Sequence, residues 1–262
     1  MDRRSFLKQA SAYALATTWT MTNLEQIFAA TPPAKRNETR EPGKSMEHRN
    51  LGGMEVSAIG LGCLPMVGYY GGKYDKKEVL HWGLSEASAR SIRRAHSVCP
   101  LSAVQSEYAI WWREPETKIF STLQELGIGF VPYCPLGRAF LTGIINENSR
   151  FQKGDRRYNL PQFQPEALKH NMPLVYLVEE WAKHKGVTPA QFALIWMLSR
   201  KPWIVPIPGM TNPDHLDDFL GAASVRLTPY EMEEFDDAYA RIDLMGHRAY
   251  GAQNEMYHSG MK

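Results

Sequence analysis

One regularity narrows the fold more than any other. From Gly83 to Tyr239, short apolar runs alternate with capped, amphipathic segments. Ser88–Val98 carries Ile92 and Ala95 on one side and Arg90, Arg93 and Arg94 on the other, which is helical spacing. Ala103–Ala109 reads as a strand, and Ile128–Tyr133 as another. Between them Glu116–Leu126 sets Ile119, Phe120 and Leu123 three or four apart and stops at Gly127. Pro173 opens a helix bearing Leu174, Leu177, Val178 and Trp181, closed by Gly186. Thr188–Gln191 and Thr228–Glu231 are capping boxes with Pro at the first helical position. Trp203–Ile207 lies between them as a strand, followed by a helix over Asn212–Leu220. Strand and helix in repeated alternation predict parallel β/α units. The strands are mostly apolar, which predicts a sheet covered on both faces.

Upstream, Glu47–Leu51 and Glu55–Ser57 flank Gly52-Gly53, a hairpin signature. Ile59–Cys63 (IGLGC) is a compact apolar strand, and Asp75–Glu78 has capping-box spacing. The helix so announced holds only Val79 and Leu80 before His81–Ser85 takes on strand character, too short to offset nucleation. A segment is missing between Leu80 and His81.

Composition removes several classes of function. Thirty basic against 28 acidic residues leave no general field for nucleic acid. No apolar run is long enough for a stable membrane span. Cys63, Cys99 and Cys134 form neither a disulfide framework nor a metal knuckle, and the eight histidines lack ligand spacing, so no metal is expected. Gly60-Leu61-Gly62 fails the dinucleotide fingerprint because Pro65 stands at the third glycine position. The N-terminus has Arg3-Arg4 followed by Phe6, Leu7 and Lys8, then an Ala/Thr-rich stretch to Met21. That resembles a twin-arginine export signal over residues 1–30, with 31–45 as a solvated linker and 46–262 as the folded domain. The implied location is periplasmic or otherwise exported, and cytoplasmic if the signal is not used.

In a parallel β/α arrangement of barrel type, chemistry gathers at the carboxyl ends of the strands. Those positions are Cys63-Leu64, Ser85-Glu86, Gln105–Tyr108, Tyr133–Arg138 and Pro208–Asn212. They offer hydrogen-bonding side chains, one ring for stacking, and a helix start suited to a phosphate. Five segments, Ile59–Cys63, Gly83–Glu86, Gln105–Tyr108, Tyr133–Gly137 and Ile207–Gly209, resemble in this order those of the aldo/keto reductase family. The resemblance covers about 200 of the 262 residues. It implies a TIM barrel that uses NADPH to reduce small carbonyl substrates through an Asp/Tyr/Lys/His tetrad. By position it assigns Ser85 and Gln105 to the nicotinamide carboxamide and Tyr133 to stacking on the ring. Cys134, Pro135, Leu136 and Gly137 fall on the pyrophosphate loop, and Gly209, Met210, Thr211 and Asn212 on the turn around the adenosine 2′-phosphate.

The family carries its tetrad on strands 2 to 4, in the stretch that is missing here, so no catalytic residue is assigned. The family's basic residue for the 2′-phosphate is matched by Asn212, and its adenine-contacting Asn by Phe219. The expected fold is therefore an incomplete (β/α)8 barrel retaining about five parallel strands, numbers 1, 5, 6, 7 and 8, in the order 5-6-7-8-1. Its open edges would favour self-association. Two functional readings follow, an NADPH-dependent carbonyl oxidoreductase or a non-catalytic remnant that binds nucleotide weakly or associates through those edges. Tyr69, Tyr70, Tyr108 and His81 are the substitute acids by residue type. Plainer roles stand beside the assigned ones, with Ser85 capping the next helix, Gln105 satisfying backbone at the rim, Cys134 and Trp181 packing, and Arg150–Arg157 forming a solvated loop.

Overall fold

The computed structural model describes residues 47–60, 81–210 and 212–248, which all fall in one of the two units into which the chain divides. The expected export signal and linker, Cys63, Tyr69, Tyr70, the expected Asp75 capping box and Thr211 lie outside the described residues.

Strands β1 (His48–Leu51) and β2 (Met54–Ser57) pair antiparallel, Leu51 opposite Met54. The two-residue turn puts Gly52 at φ 58° and Gly53 at φ 86°, the left-handed region that glycine enters without penalty. Strands β3 (Trp82–Ser85), β4 (Leu101–Glu107) and β5 (Gly129–Tyr133) form a parallel sheet in the order β3-β4-β5. Helix α1 (Ala89–Val98) connects the first two, and α2 (Glu114–Lys118) with α3 (Phe120–Leu126) the next two. The single helix expected over Glu116–Leu126 starts two residues earlier and breaks at Ile119, whose φ of −130° is not helical. Gly127 ends it in the left-handed conformation, as the sequence indicates.

Beyond β5 the arc continues through residues 203–207 and reaches Gly60. Trp203 O accepts from Phe130 N, Val205 N donates to Phe130 O, and Ile207 N donates to Pro132 O. Only Ile204 forms a β-bridge, so the expected strand Trp203–Ile207 is not a full ladder. Pro206 and Pro208 bring no N–H to it. Gly60 N then donates to Pro206 O. The lateral order of the five segments is thus the expected 5-6-7-8-1, and among the described residues the barrel does not close.

Among the described residues four further helices follow, α4 (Pro165–Lys185), α5 (Pro189–Arg200), α6 (Pro213–Ala222) and α7 (Pro229–Tyr239). Helix α4 corrects the sequence reading. Pro173 lies inside it and not at its start, because Ala167, Leu168, Asn171 and Met172 already continue the buried stripe upstream. Short 3-10 turns at Arg156–Asn159 and Pro161–Phe163 precede it, and Gln164 is its N-cap. Both capping boxes form as read, Thr188 with Gln191 and Thr228 with Glu231.

The helices bury one face of the sheet. Tyr108 lies at 5.3 Å from the Phe120 ring, 5.8 Å from Phe130 and 5.4 Å from Trp196, centroid to centroid. Val104, Ser106 and Tyr108 are fully buried on that side, whereas Ala103 and Gln105, facing the other way, are only half-buried. The expectation of two covered faces thus holds for one. Behind the buried face, Arg113 pairs with Glu116 and Asp236 at 2.8 Å each, and Arg200 pairs with the same two carboxylates. This four-ion group ties the Arg113 loop and α2 to α5 and α7, with the Arg113 guanidinium 5.2 Å from the Trp196 ring and 4.7 Å from Tyr239. Trp181 packs against Phe192 and Phe235, the core role expected of it.

At the opposite end of the strands the hairpin closes the base. Arg49, 8% exposed, donates to Leu198 O at 2.6 Å, Lys201 O at 2.9 Å and Ile204 O at 3.0 Å. Those carbonyls include the unsatisfied end of α5. Arg49→Leu strands them in a buried site, and we expect a loss of about 3 kcal/mol in urea unfolding. A second expectation concerns pH. Hydrogen bonds from Lys185, then from the Thr228 backbone, hold the Glu231 carboxyl at about 2. A depressed folded-state value stabilises above the ordinary carboxylate range and is lost as pH falls toward 2. Glu231→Gln keeps the cap but not the ion pair, so it should cost about 1 kcal/mol at pH 7. The difference from wild type should vanish near the acid end of a pH-dependent unfolding series.

Candidate functional site

The carboxyl ends of the strands come together in register. Ser85 is the lateral partner of Gln105, Gln105 of Val131, and Glu107 of Tyr133. Partners in a parallel ladder project to the same face, so Ser85, Gln105, Glu107 and Tyr133 share the face that the helices leave uncovered. Ser85 does not cap the next helix. That part falls to Ser88, whose hydroxyl accepts from Ser91 N at 3.2 Å. The Ser85 hydroxyl and the Gln105 amide make no hydrogen bond to described residues, so two adjacent polar groups stand unspent at the rim.

The loop after β5 is wound left-handed at four places, Cys134 (φ 52°), Gly137 (58°), Arg138 (55°) and Ala139 (73°). Three of these are not glycine, each costing about 1 kcal/mol or more. Backbone bonds from Gly137 N to Cys134 O and from Phe140 N to Gly137 O brace it, and Trp111 packs so close that a side chain at Gly137 would touch its ring at 3.0 Å. Pro135 is buried, and Leu136 is half-buried. Burial pushes the Cys134 thiol up to about 11, with Arg138 pulling down and Glu107 pushing up. Its packing role is the one the structure supports.

Charged groups that the sequence reading left unassigned hold these strand ends together. Arg138 grips Glu107 with both guanidinium nitrogens, at 2.5 and 3.0 Å, and the carboxylate is 1% exposed. Glu107 N donates to Glu86 Oε1 at 2.9 Å. Glu86, itself at φ 51°, also receives Arg248 at 2.9 Å, and that guanidinium is 5.3 Å from the Trp112 ring. Strand ends β3, β4 and β5 are thereby joined to the segment around Arg248. Burial, then the Glu107 and Glu86 carboxylates, push the Tyr133 phenol far above its ordinary range. Glu86, Glu107 and Arg138 were visible as strand-end residues. Arg248, 162 residues from Glu86, gave no local signal.

The remaining positions are placed less compactly. Gly209 is exposed with open space where a side chain would stand, and Met210 is half-buried. Both follow Ile207, whose bond to Pro132 O sets them at the same end as Tyr133. Asn212 caps α6, its side chain accepting from Asp214 N at 3.0 Å. Phe219 is buried, 6.0 Å from the His215 ring. In the Arg150–Arg157 loop, Arg150 binds backbone at the surface, as read. Arg157 departs from that reading, being 9% exposed, paired with Asp155 at 2.7 Å and stacked on Phe151 at 4.4 Å.

Comparison with known proteins gives a consistent result. The profile of the aldo/keto reductase family matches residues 74–240. A probable aldo-keto reductase 1 from Glycine max is 41% identical over 177 residues, covering 67% of this chain and 51% of that protein. Among solved structures, a glycerol dehydrogenase from Gluconobacter oxydans superposes with a TM-score of 0.60 at 25% identity, covering 63% of this chain and 50% of the other. The chain spans about half the length of these relatives.

The Cys134 environment yields a direct check. With its thiol near 11, Cys134 should react with iodoacetamide at pH 8 about a hundredfold more slowly than an ordinary thiol. Its rate, followed by peptide mass spectrometry, should still be rising at pH 10, whereas a plateau near pH 9 would contradict the burial argument.

Proposed function

The chain belongs to the aldo/keto reductase family, and on that premise we propose that it is an oxidoreductase of that type, holding NADP(H) against the carboxyl ends of its strands with a small carbonyl compound as substrate. The observation that carries this reading is the register of Ser85 beside Gln105, two unspent hydrogen-bonding side chains on the uncovered face. Their hydroxyl and amide fit a carboxamide, which needs one acceptor and one donor close together. Tyr133, on the next strand and the same face, offers its ring to the nicotinamide. The loop Cys134–Gly137 offers backbone N–H groups to the pyrophosphate, apart from Pro135, which has none, and Gly137, whose N–H is taken by Cys134 O. Gly209 to Asn212 border the adenosine phosphate, with the open space at Gly209 giving room for it. When bound, the dihydronicotinamide supplies the hydride. Reduction also needs an acid to protonate the developing alkoxide.

One observation favours the second reading, a nucleotide-binding remnant without turnover. Tyr133 is the phenol at the cradle, and its burial beside Glu107 and Glu86 makes it a poorer proton donor than a free tyrosine. The Asp/Tyr/Lys/His tetrad, moreover, has no counterpart between Leu80 and His81. Self-association through the edge of β3 that no described strand pairs accompanies this reading.

Titrating NADPH and NADH into the purified protein, followed by nicotinamide fluorescence, tests both. Saturable NADPH binding is expected. Ser85→Ala and Gln105→Ala should each weaken it about 5- to 10-fold, one lost hydrogen bond apiece. Oxidation of NADPH on adding aldehydes supports the oxidoreductase reading, and binding without oxidation supports the remnant. A folded protein that binds neither nucleotide overturns both.

A further inference from the structure

We propose that Glu107 is a positioning residue for nucleotide binding, holding Arg138 so that the loop after β5 keeps its left-handed course and presents its backbone N–H groups. This rests on the cradle reading above and adds to it a residue that touches no ligand.

The geometry is specific to that task. The loop turns on Gly137, Arg138 and Ala139, three consecutive left-handed residues, of which only one is glycine. Such a run does not persist unless its surroundings over-determine it. What holds it from the sheet side is one two-pronged contact, Arg138 to Glu107, with both nitrogens engaged and the carboxylate sealed from solvent. The planar fork fixes direction as well as distance, which a lysine in its place would not do. Glu107 is itself fixed. It ends β4, and its N–H is taken by Glu86, whose carboxylate is held in turn by Arg248. On the far side Arg157, pinned by Asp155, reaches Arg138 O at 3.4 Å. Arg138 is therefore committed to a protein carboxylate, and the loop meets an anion with backbone donors and not with that side chain. Phosphate recognition of this kind depends on loop shape, and loop shape here depends on Glu107.

The test needs a readout that global stability does not move. Amide hydrogen exchange supplies one, through the loop bonds of Gly137, Phe140 and Leu141 and the sheet bonds of Phe130 and Val205. In Glu107→Gln the three loop amides should exchange at least tenfold faster, with Phe130 and Val205 unchanged, and NADP+ should bind about tenfold more weakly. Glu107→Asp, which keeps the charge, should recover part of both losses. If Glu107→Gln does not fold because Arg138 is left buried and unpaired, the double variant Glu107→Gln/Arg138→Met removes that charge, and the same loop-specific change is expected of it. Loop exchange and affinity equal to wild type overturn the proposal, as does a uniform rise that includes Phe130 and Val205. If the wild-type protein binds no NADP+, the cradle reading fails on its own, and the exchange data still decide whether Glu107 shapes the loop.

Discussion

Among the described residues the helices cover one face of the parallel arc, and the arrangement of the strand ends is built around that constraint. The covered face is conventional core, in which Tyr108, Phe120 and Phe130 interlock edge to face and Trp196 packs at a tilt against Tyr108. Burying such side chains stabilises by roughly 1.5–3 kcal/mol each. The other face carries Ala103, Gln105 and Val131 only half-buried. Polar side chains persist at its carboxyl rim because the apolar contacts of the fold are made elsewhere.

That arrangement leaves strand ends with little packing to align them, and charge does the aligning. Glu86, Glu107, Arg138 and Arg248 form a line in which every carboxylate is gripped by a guanidinium and the two acids are joined through a backbone N–H. Withdrawing such ions from water is costly, and two-pronged geometry is what lets the attraction offset the cost. A comparable group of ions, Arg113, Glu116, Arg200 and Asp236, fastens helices behind the sheet. The hairpin contributes at the base, where Arg49 takes the carbonyls at the end of α5.

What the sequence made legible was local. The Gly52-Gly53 turn, the stop at Gly127 and the capping boxes at Thr188 and Thr228 each rest on residues within four positions of one another, and each forms as read. The parallel order of the arc was legible as well, because the five family-like segments carry their own succession. The start of α4 was not, since Pro173 gives a strong local signal for a helix N-terminus while the stripe from Ala167 to Met172 extends the helix past it. Trp203–Ile207 has the composition of a strand, yet Pro206 within it limits how many ladder bonds it can make. In the candidate site, Ser85, Gln105 and Tyr133 were legible as strand-end residues, and the observed register sets them on one face of the sheet. The ions that hold them were missed because their partners are 31 and 162 residues apart in sequence.

Mapping where a nucleotide protects the backbone tests the proposed cradle at the strand ends most directly. Hydrogen exchange with and without saturating NADP+ should show slowed exchange at Glu86, over Leu136–Ala139 and at Gly209-Met210. The hairpin at the opposite end of the strands, His48–Ser57, should be unaffected. Protection confined to the hairpin end, or none at the strand ends in a folded protein with the nucleotide in excess, would contradict it.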